Sequence, residues 1–146
     1  MTPAQQTALE GLIGRPLTAG EISSLDPLLP DRNDVSIAAI LSVGRTRTQP
    51  TPIGIGTVLA VMAPQGGDFL NTLETLGAQY SNVKWALKMI EQGTFDVGHP
   101  VTRAQLQAFA GAVPAMAPAI EALLDVAVHP DLVSVDTVSA ILNSEV

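Results

Sequence analysis

Apolar positions recur along the chain at three- and four-residue steps, the spacing that lines one face of an α-helix. Ala8, Leu9, Leu12 and Ile13 make the first such stripe, in a segment opened by Thr2-Pro3-Ala4-Gln5. A capping threonine, a proline at the first helical position and a glutamine three residues on form a capping box. The pattern predicts a helix from Pro3 to about Ile13, stopped at Gly14. A second start lies at Thr18 and Glu21, with Leu17 and Ile22 at the positions of a hydrophobic staple, and Pro27 and Pro30 end that helix. Asn33 caps a third helix from Asp34 to Ser42. Its apolar residues Val35, Ile37, Ala38, Ile40 and Leu41 cover most of its circumference, which predicts that it is largely buried.

The next segment, Arg45 to Pro52, holds two prolines and alternates side chains, so it is expected to be extended. It is the candidate arm or linker. Beyond it the apolar pattern predicts helices over Ile53 to Met62 and Gly66 to Leu76. A further helix is capped by Ser81 and ended by Gly93, with Val83, Ala86, Leu87 and Ile90 buried and Tyr80 and Trp85 as its staple. The last three run from Arg103 to Ala112, Ala115 to about Val128 and Val135 to Asn143, with Thr102 and Ser134 as caps. The phrase Gly14-Arg15-Pro16-Leu17-Thr18 returns as Gly98-His99-Pro100-Val101-Thr102, where Val101 would staple to Leu106. Unequal spacing makes this recurrent helix-start chemistry and not a repeat period. Eight or nine short helices with no convincing strand pair predict an all-α fold, a compact bundle with an extended arm near residues 45–52. The expected organisation is an N-terminal helical lobe over 1–44, the arm or linker over 45–52 and a helical body over 53–146, folding as one domain overall.

The chain has 146 residues and a mass of 15.2 kDa, long enough to bury about 70% of the surface its unfolded form exposes. The absence of cysteine excludes disulfides, zinc–thiolate sites and thiol nucleophiles. Apolar residues make up 47% and charged residues only 14%, against about 25% charged in an average soluble chain. A net charge of −7 argues against a general nucleic-acid binder. The longest apolar stretch, Ile53 to Ala63, is 11 residues, well short of the roughly 20 a membrane span needs. The first residues lack the basic start and apolar run of a signal peptide, so synthesis in the cytoplasm and no membrane partner are expected.

Candidate chemistry is sparse. His99 and His129 each precede a proline and fall outside metal-binding spacings, so both read as loop histidines placed by their turns. Asp34, Asp68 and Asp136 sit beside helix starts, where exposed amides and the dipole favour an acid without any reaction. Ile53-Gly54-Ile55-Gly56-Thr57 lacks the lysine of a phosphate loop; its glycines read as places of close backbone approach. No catalytic, cofactor-binding or metal-ligating residue is assigned, no cofactor is expected, and the chain does not read as an enzyme. A catalytic site would have to be assembled from scattered residues such as Asp96, His99 and Arg103.

Arginine placement points instead to contact. Four of the seven basic residues, Arg15, Arg32, Arg45 and Arg47, fall in the first 47 positions. Arg45 and Arg47 on the extended arm are therefore the expected protein-contact residues, with Tyr80 and Trp85 as secondary anchors. At its helical spacing Trp85 is more often a core residue than an interface one.

The run Asn33-Asp34-Val35-Ser36-Ile37-Ala38-Ala39-Ile40-Leu41-Ser42-Val43-Gly44-Arg45, followed by Thr51-Pro52-Ile53-Gly54-Ile55-Gly56-Thr57-Val58-Leu59, resembles a group of small virion-region proteins of tailed bacteriophages and prophages. Ile90-Glu91-Gln92-Gly93 and Val133-Ser134-Val135-Asp136-Thr137-Val138-Ser139 are also similar, so the likeness touches most of residues 33–143. It implies a structural or assembly component, made in the host cytoplasm and destined for the virion, and carries over no catalytic residue. The expected function is assembly by protein–protein contact, with other virion proteins and further copies of itself as partners. The charge deficit supports that reading, because a weakly charged exterior favours burial in interfaces. The alternative is a small acidic phage-encoded regulator that binds and inhibits a host protein.

Overall fold

In the computed structural model, which describes residues 1–144, the chain is all-α, with nine α-helices and four very short strands among the described residues. The helices are α1 (Pro3–Ile13), α2 (Ala19–Leu25), α3 (Asp34–Ser42), α4 (Ile55–Val61), α5 (Gly66–Gly77), α6 (Ser81–Glu91), α7 (Pro100–Ala112), α8 (Ala117–Asp125) and α9 (Val135–Ser144). Single 3-10 turns, Asp26–Leu28 and Pro114–Met116, extend α2 and lead into α8.

The chain divides into two compact units. A terminal unit comprises residues Met1–Thr46 and Pro130–Val146, and a central unit comprises Arg47–His129. Each has its own apolar core. In the terminal unit α1, α2, α3 and α9 enclose Leu9, Leu25, Ile37, Leu41, Val138 and Leu142. The last helix therefore belongs with the first three, whereas the sequence pattern placed it in a body running from 53 to 146. Val138 and Leu142 are its physical reason: they complete the core that Leu9 and Ile37 begin. In the central unit, Val58, Met62, Phe69, Ile90, Ile120 and Leu123 are buried among α4, α5, α6 and α8. The rings of Phe69 and Phe109 meet edge to face at 5.6 Å between centroids.

The strongest local signals behave as predicted. Thr2 with Gln5, and Thr18 with Glu21, form reciprocal capping boxes, and Asn33 accepts the Ser36 N–H at the start of α3. Gly14 takes φ 71°, the left-handed turn that ends α1 and that a side chain would strain. At the start of α9, Ser134 accepts the Thr137 N–H.

Other boundaries move, each for an identifiable reason. Ser81 does not cap α6: its N-cap position is Tyr80, which makes no side-chain capping bond. The second Gly-x-Pro phrase does not reproduce the first, because α7 starts at Pro100 and not after Thr102. There His99 takes the capping role, its Nδ1 accepting the Val101 N–H at 3.2 Å. In the first phrase the Glu10 carboxylate accepts the Leu17 N–H at 3.0 Å and holds 15–17 out of the helix. Val101 is consequently exposed, and the expected staple to Leu106 is missing, while Leu17 is buried as its own staple requires.

Strand pairing, which the apolar pattern did not reveal, occurs twice. β2 (Pro52–Ile53) pairs antiparallel with β3 (Phe95–Asp96), so α4 begins at Ile55, two residues later than expected. β1 (Thr46–Thr48) pairs with β4 (Val128–Pro130) in a second two-stranded ribbon. The 45–52 segment is extended as predicted, yet it is not a free arm.

Candidate protein-contact surfaces

Two apolar surfaces are left uncovered, one in each unit. The first is an open groove of about 450 Å³ in the terminal unit, lined by Val35, Ala39, Val43, Leu132, Val133 and Val135. Helical spacing sets half of it: Val35, Ala39 and Val43 follow one another at four-residue steps along α3 and its C-cap. Val35 is 66% exposed and Val43 73% exposed, which overturns the expectation that the apolar circumference of α3 is largely buried. Only the Ile37, Ala38 and Leu41 side of that helix is covered.

The opposite wall is a loop, and it is held rigidly. Arg45 donates from Nη2 to Asp131 Oδ2 at 2.8 Å, while the Asp131 N–H donates to the Arg45 carbonyl at 3.0 Å. A further Arg45 bond reaches the Ile13 carbonyl at 3.0 Å. Two residues on, the Val133 N–H donates to Ser42 Oγ at 2.9 Å. Leu132 thus stands between two anchored residues with 73% of its surface exposed. A large apolar side chain held outward in this way costs solvation that a partner can recover.

Arg32 ties the start of α3 to α9. Its guanidinium donates to the Asp34 carboxylate at 3.0 and 3.2 Å and to Asn143 Oδ1 at 2.7 Å. Asp34 also accepts from Ser139 Oγ. The Arg32 bonds, then the Ser139 hydroxyl, hold the Asp34 carboxyl below its ordinary range against the opposing cost of desolvation.

The second surface is the outer face of α6. Trp85 (60%) and Met89 (42%) are exposed on α6 and Tyr80 (58%) at its N-cap, while Lys84 and Lys88, the two lysines of the chain, line an open cleft together with Glu74 and Glu91. Lys88 Nζ lies 4.8 Å from the centre of the Trp85 ring, a cation–π contact that pins both side chains. The inward face of the same helix carries Ile90, fully buried, with Val83, Ala86 and Leu87 packed on the core as the sequence predicted.

Of the four expected contact residues, Tyr80 and Trp85 are therefore both exposed, and the core position that helical spacing favoured for Trp85 is not the one it takes. Arg47 is exposed on β1. Arg45 is half-buried and committed to Asp131 and Ile13, so it shapes the groove and does not reach outward. The exposed groove residues Val35, Val43, Leu132 and Val135 are not among those the sequence singled out. The signal that could have found them is the apolar sequence of α3 itself, which has more apolar faces than one core can cover.

Asp96, His99 and Arg103 do lie on one short stretch, but each serves the main chain. Asp96 Oδ1 accepts the N–H groups of Thr51 at 2.7 Å and Gly98 at 2.8 Å, which lowers its pKa, the Thr51 bond most. Arg103 donates to the carbonyls of Val97 and Leu124. Gly98 is required there because a Cβ would collide with the Gln49 carbonyl. Gly54 also permits a close approach, its would-be Cβ lying 3.3 Å from the Cα of Gly93, while Gly56 faces open space. A small apolar cavity of about 180 Å³ lies in the central unit among Phe69, Leu73, Phe95, Leu106 and Phe109. Among the described residues no group of His, Asp and Glu is placed to hold a metal ion, and no single helix is long and apolar enough to cross a membrane. Compared with known protein families, characterised proteins and solved structures, the chain matches none.

Proposed function

We propose that the protein is a structural or assembly component of a tailed-bacteriophage particle, acting through protein–protein contacts and associating with further copies of itself. The observation that carries this reading is the groove over α3, where a clamped loop holds Leu132 outward opposite Val35 and Val43. Apolar side chains presented by an ordered framework are what interface cores are made from. The low charge content of the chain, 14%, is consistent with the same use, and the sequence resemblance to virion-region proteins supplies the setting.

Light scattering across micromolar concentrations tests self-association. A mass that rises above the 15.2 kDa of one chain is expected, and a constant single-chain mass at every concentration overturns it. Quantitative mass spectrometry of purified particles tests the setting: a fixed copy number per particle is expected. Particles without the protein, together with a stoichiometric complex with one host protein, would favour an acidic host-directed regulator instead.

A further inference from the structure

We propose that the apolar cavity of the central unit is a binding site for a small neutral aromatic molecule, a single ring carrying a hydroxyl group. The site is separate from the two contact surfaces and does not depend on assembly. Three helices and one strand build it. Phe69 and Leu73, four residues apart on α5, give one wall; Val83 and Ala86 on α6 give a second; Leu106 and Phe109 on α7 give a third. Phe95 enters from β3, held by the pairing of that strand with Pro52 and Ile53. All three phenylalanines of the chain therefore meet around one space.

Size, ring character and charge each narrow the occupant. The volume is about 180 Å³, and an apolar cavity of about 150 Å³ stays free of water and takes up benzene. One ring with a small substituent fits, whereas drug-sized molecules need pockets of roughly 300 Å³ or more. Phe69 and Phe109 already stand edge to face, and a third ring between these walls extends the same favourable packing. No Asp, Glu, Lys, Arg or His lines the space among the described residues. A charged ligand would shed its hydration there without gaining a partner.

The polar groups of the lining are the side-chain amides of Asn82 and Gln105. Both residues are exposed, while Phe69, Leu73, Phe95 and Leu106 are buried, which sets the amides at the mouth. Neither amide is engaged in a hydrogen bond among the described residues. An amide offers both a donor and an acceptor, and so does a hydroxyl, so the pair suits a ring whose O–H points outward.

Phenol is the probe, followed by methyl-resolved NMR of the full chain. Saturable shifts are expected at the methyls of Leu73, Val83 and Leu106, and none at those of Leu9 and Leu142 in the terminal unit. Benzoate, which carries a charge, should produce no such shifts. Ala86→Leu fills the space and should abolish the binding of both phenol and toluene. Asn82→Ala with Gln105→Ala alters only exposed side chains, so it keeps the test sound where Ala86→Leu loses helicity. That double variant should weaken phenol by roughly two- to tenfold and leave toluene unchanged. Phenol that shifts none of the three methyls, or that still binds the filled cavity of a folded Ala86→Leu, overturns the site. Phenol affinity unmoved by the two amide replacements overturns the hydroxyl-bearing class. A tyrosine-containing peptide that binds more tightly than phenol would assign the cavity to a partner's side chain and overturn the small-molecule reading.

Discussion

The terminal and central units solve the same problem, stabilising a small set of short helices, by different means. Every ion pair among the described residues lies in the terminal unit: the amino terminus with Asp26, Arg15 with Glu21, Arg32 with Asp34 and Arg45 with Asp131. They fasten helix ends and loops around a core of aliphatic side chains. The central unit has none; it relies on larger side chains, including Phe69 and Phe95, and on main-chain bonds made by Asp96 and Arg103. The difference explains where free charge remains. Cations used as internal fasteners leave an acidic exterior, while the central unit keeps its lysines at the surface beside exposed aromatic rings.

The contrast can be broken most forcefully at Phe69. Its ring is fully buried and packs against Phe109 beside an existing cavity, so Phe69→Ala should cost about 3–5 kcal/mol in urea denaturation. A loss below about 1 kcal/mol would mean that the central unit is not organised around that ring. Arg45→Ala is the matching experiment in the terminal unit. Removing a half-buried guanidinium that bonds Asp131 and the Ile13 carbonyl should cost roughly 1–3 kcal/mol. It should also weaken assembly, because the loop carrying Leu132 loses its clamp.

Acid should find the ion pairs of the terminal unit. The Glu21 carboxyl is lowered from 4.5 to about 2, chiefly by the Arg15 guanidinium and then by the Thr18 N–H. A carboxylate lowered on folding stabilises the fold fully above its unfolded pKa, and that contribution is lost as the pH falls through the folded value. The Glu21 share should therefore be complete above about pH 4.5 and drain away towards pH 2. Carbon-detected titration of the Glu21 carboxyl reads this directly, and Arg15→Ala should move its midpoint back up. The smallest effects are expected at exposed positions: Trp85→Ala and Arg47→Ala should each change stability by less than about 0.5 kcal/mol. Trp85 emission should be that of a water-exposed indole in dilute solution and shift to shorter wavelength as copies assemble. Emission already blue and insensitive to concentration would place the ring in a core after all.

What could be read from the sequence follows from range. The capping boxes at Thr2 and Thr18 and the cap at Asn33 involve residues within three positions of one another, so their chemistry is complete in a short window. The all-α class follows from such signals. The pairing of Pro52 and Ile53 with Phe95 and Asp96 depends on residues more than forty positions away, and no local pattern announces it. The same holds for the return of α9 to α1 and α3. Exposure at Trp85 and Val35 was illegible for a related reason: periodicity defines which residues share a face, but only the neighbouring elements decide which faces are covered. The bond of Arg45 to Asp131 was illegible too, since that partner stands 86 residues along the chain.

The threading of the chain has a consequence for how the protein is made. Because 47–129 lies within the span of the terminal unit, the first three helices leave the ribosome long before the helix that completes their core. At roughly 5–20 residues per second, Leu9 and Ile37 wait on the order of 5–20 s for Val138 and Leu142. The central unit is whole on emergence and can fold during that wait. The part born first is finished last, and while it stays open its unfinished core is the surface most in need of protection from premature encounters.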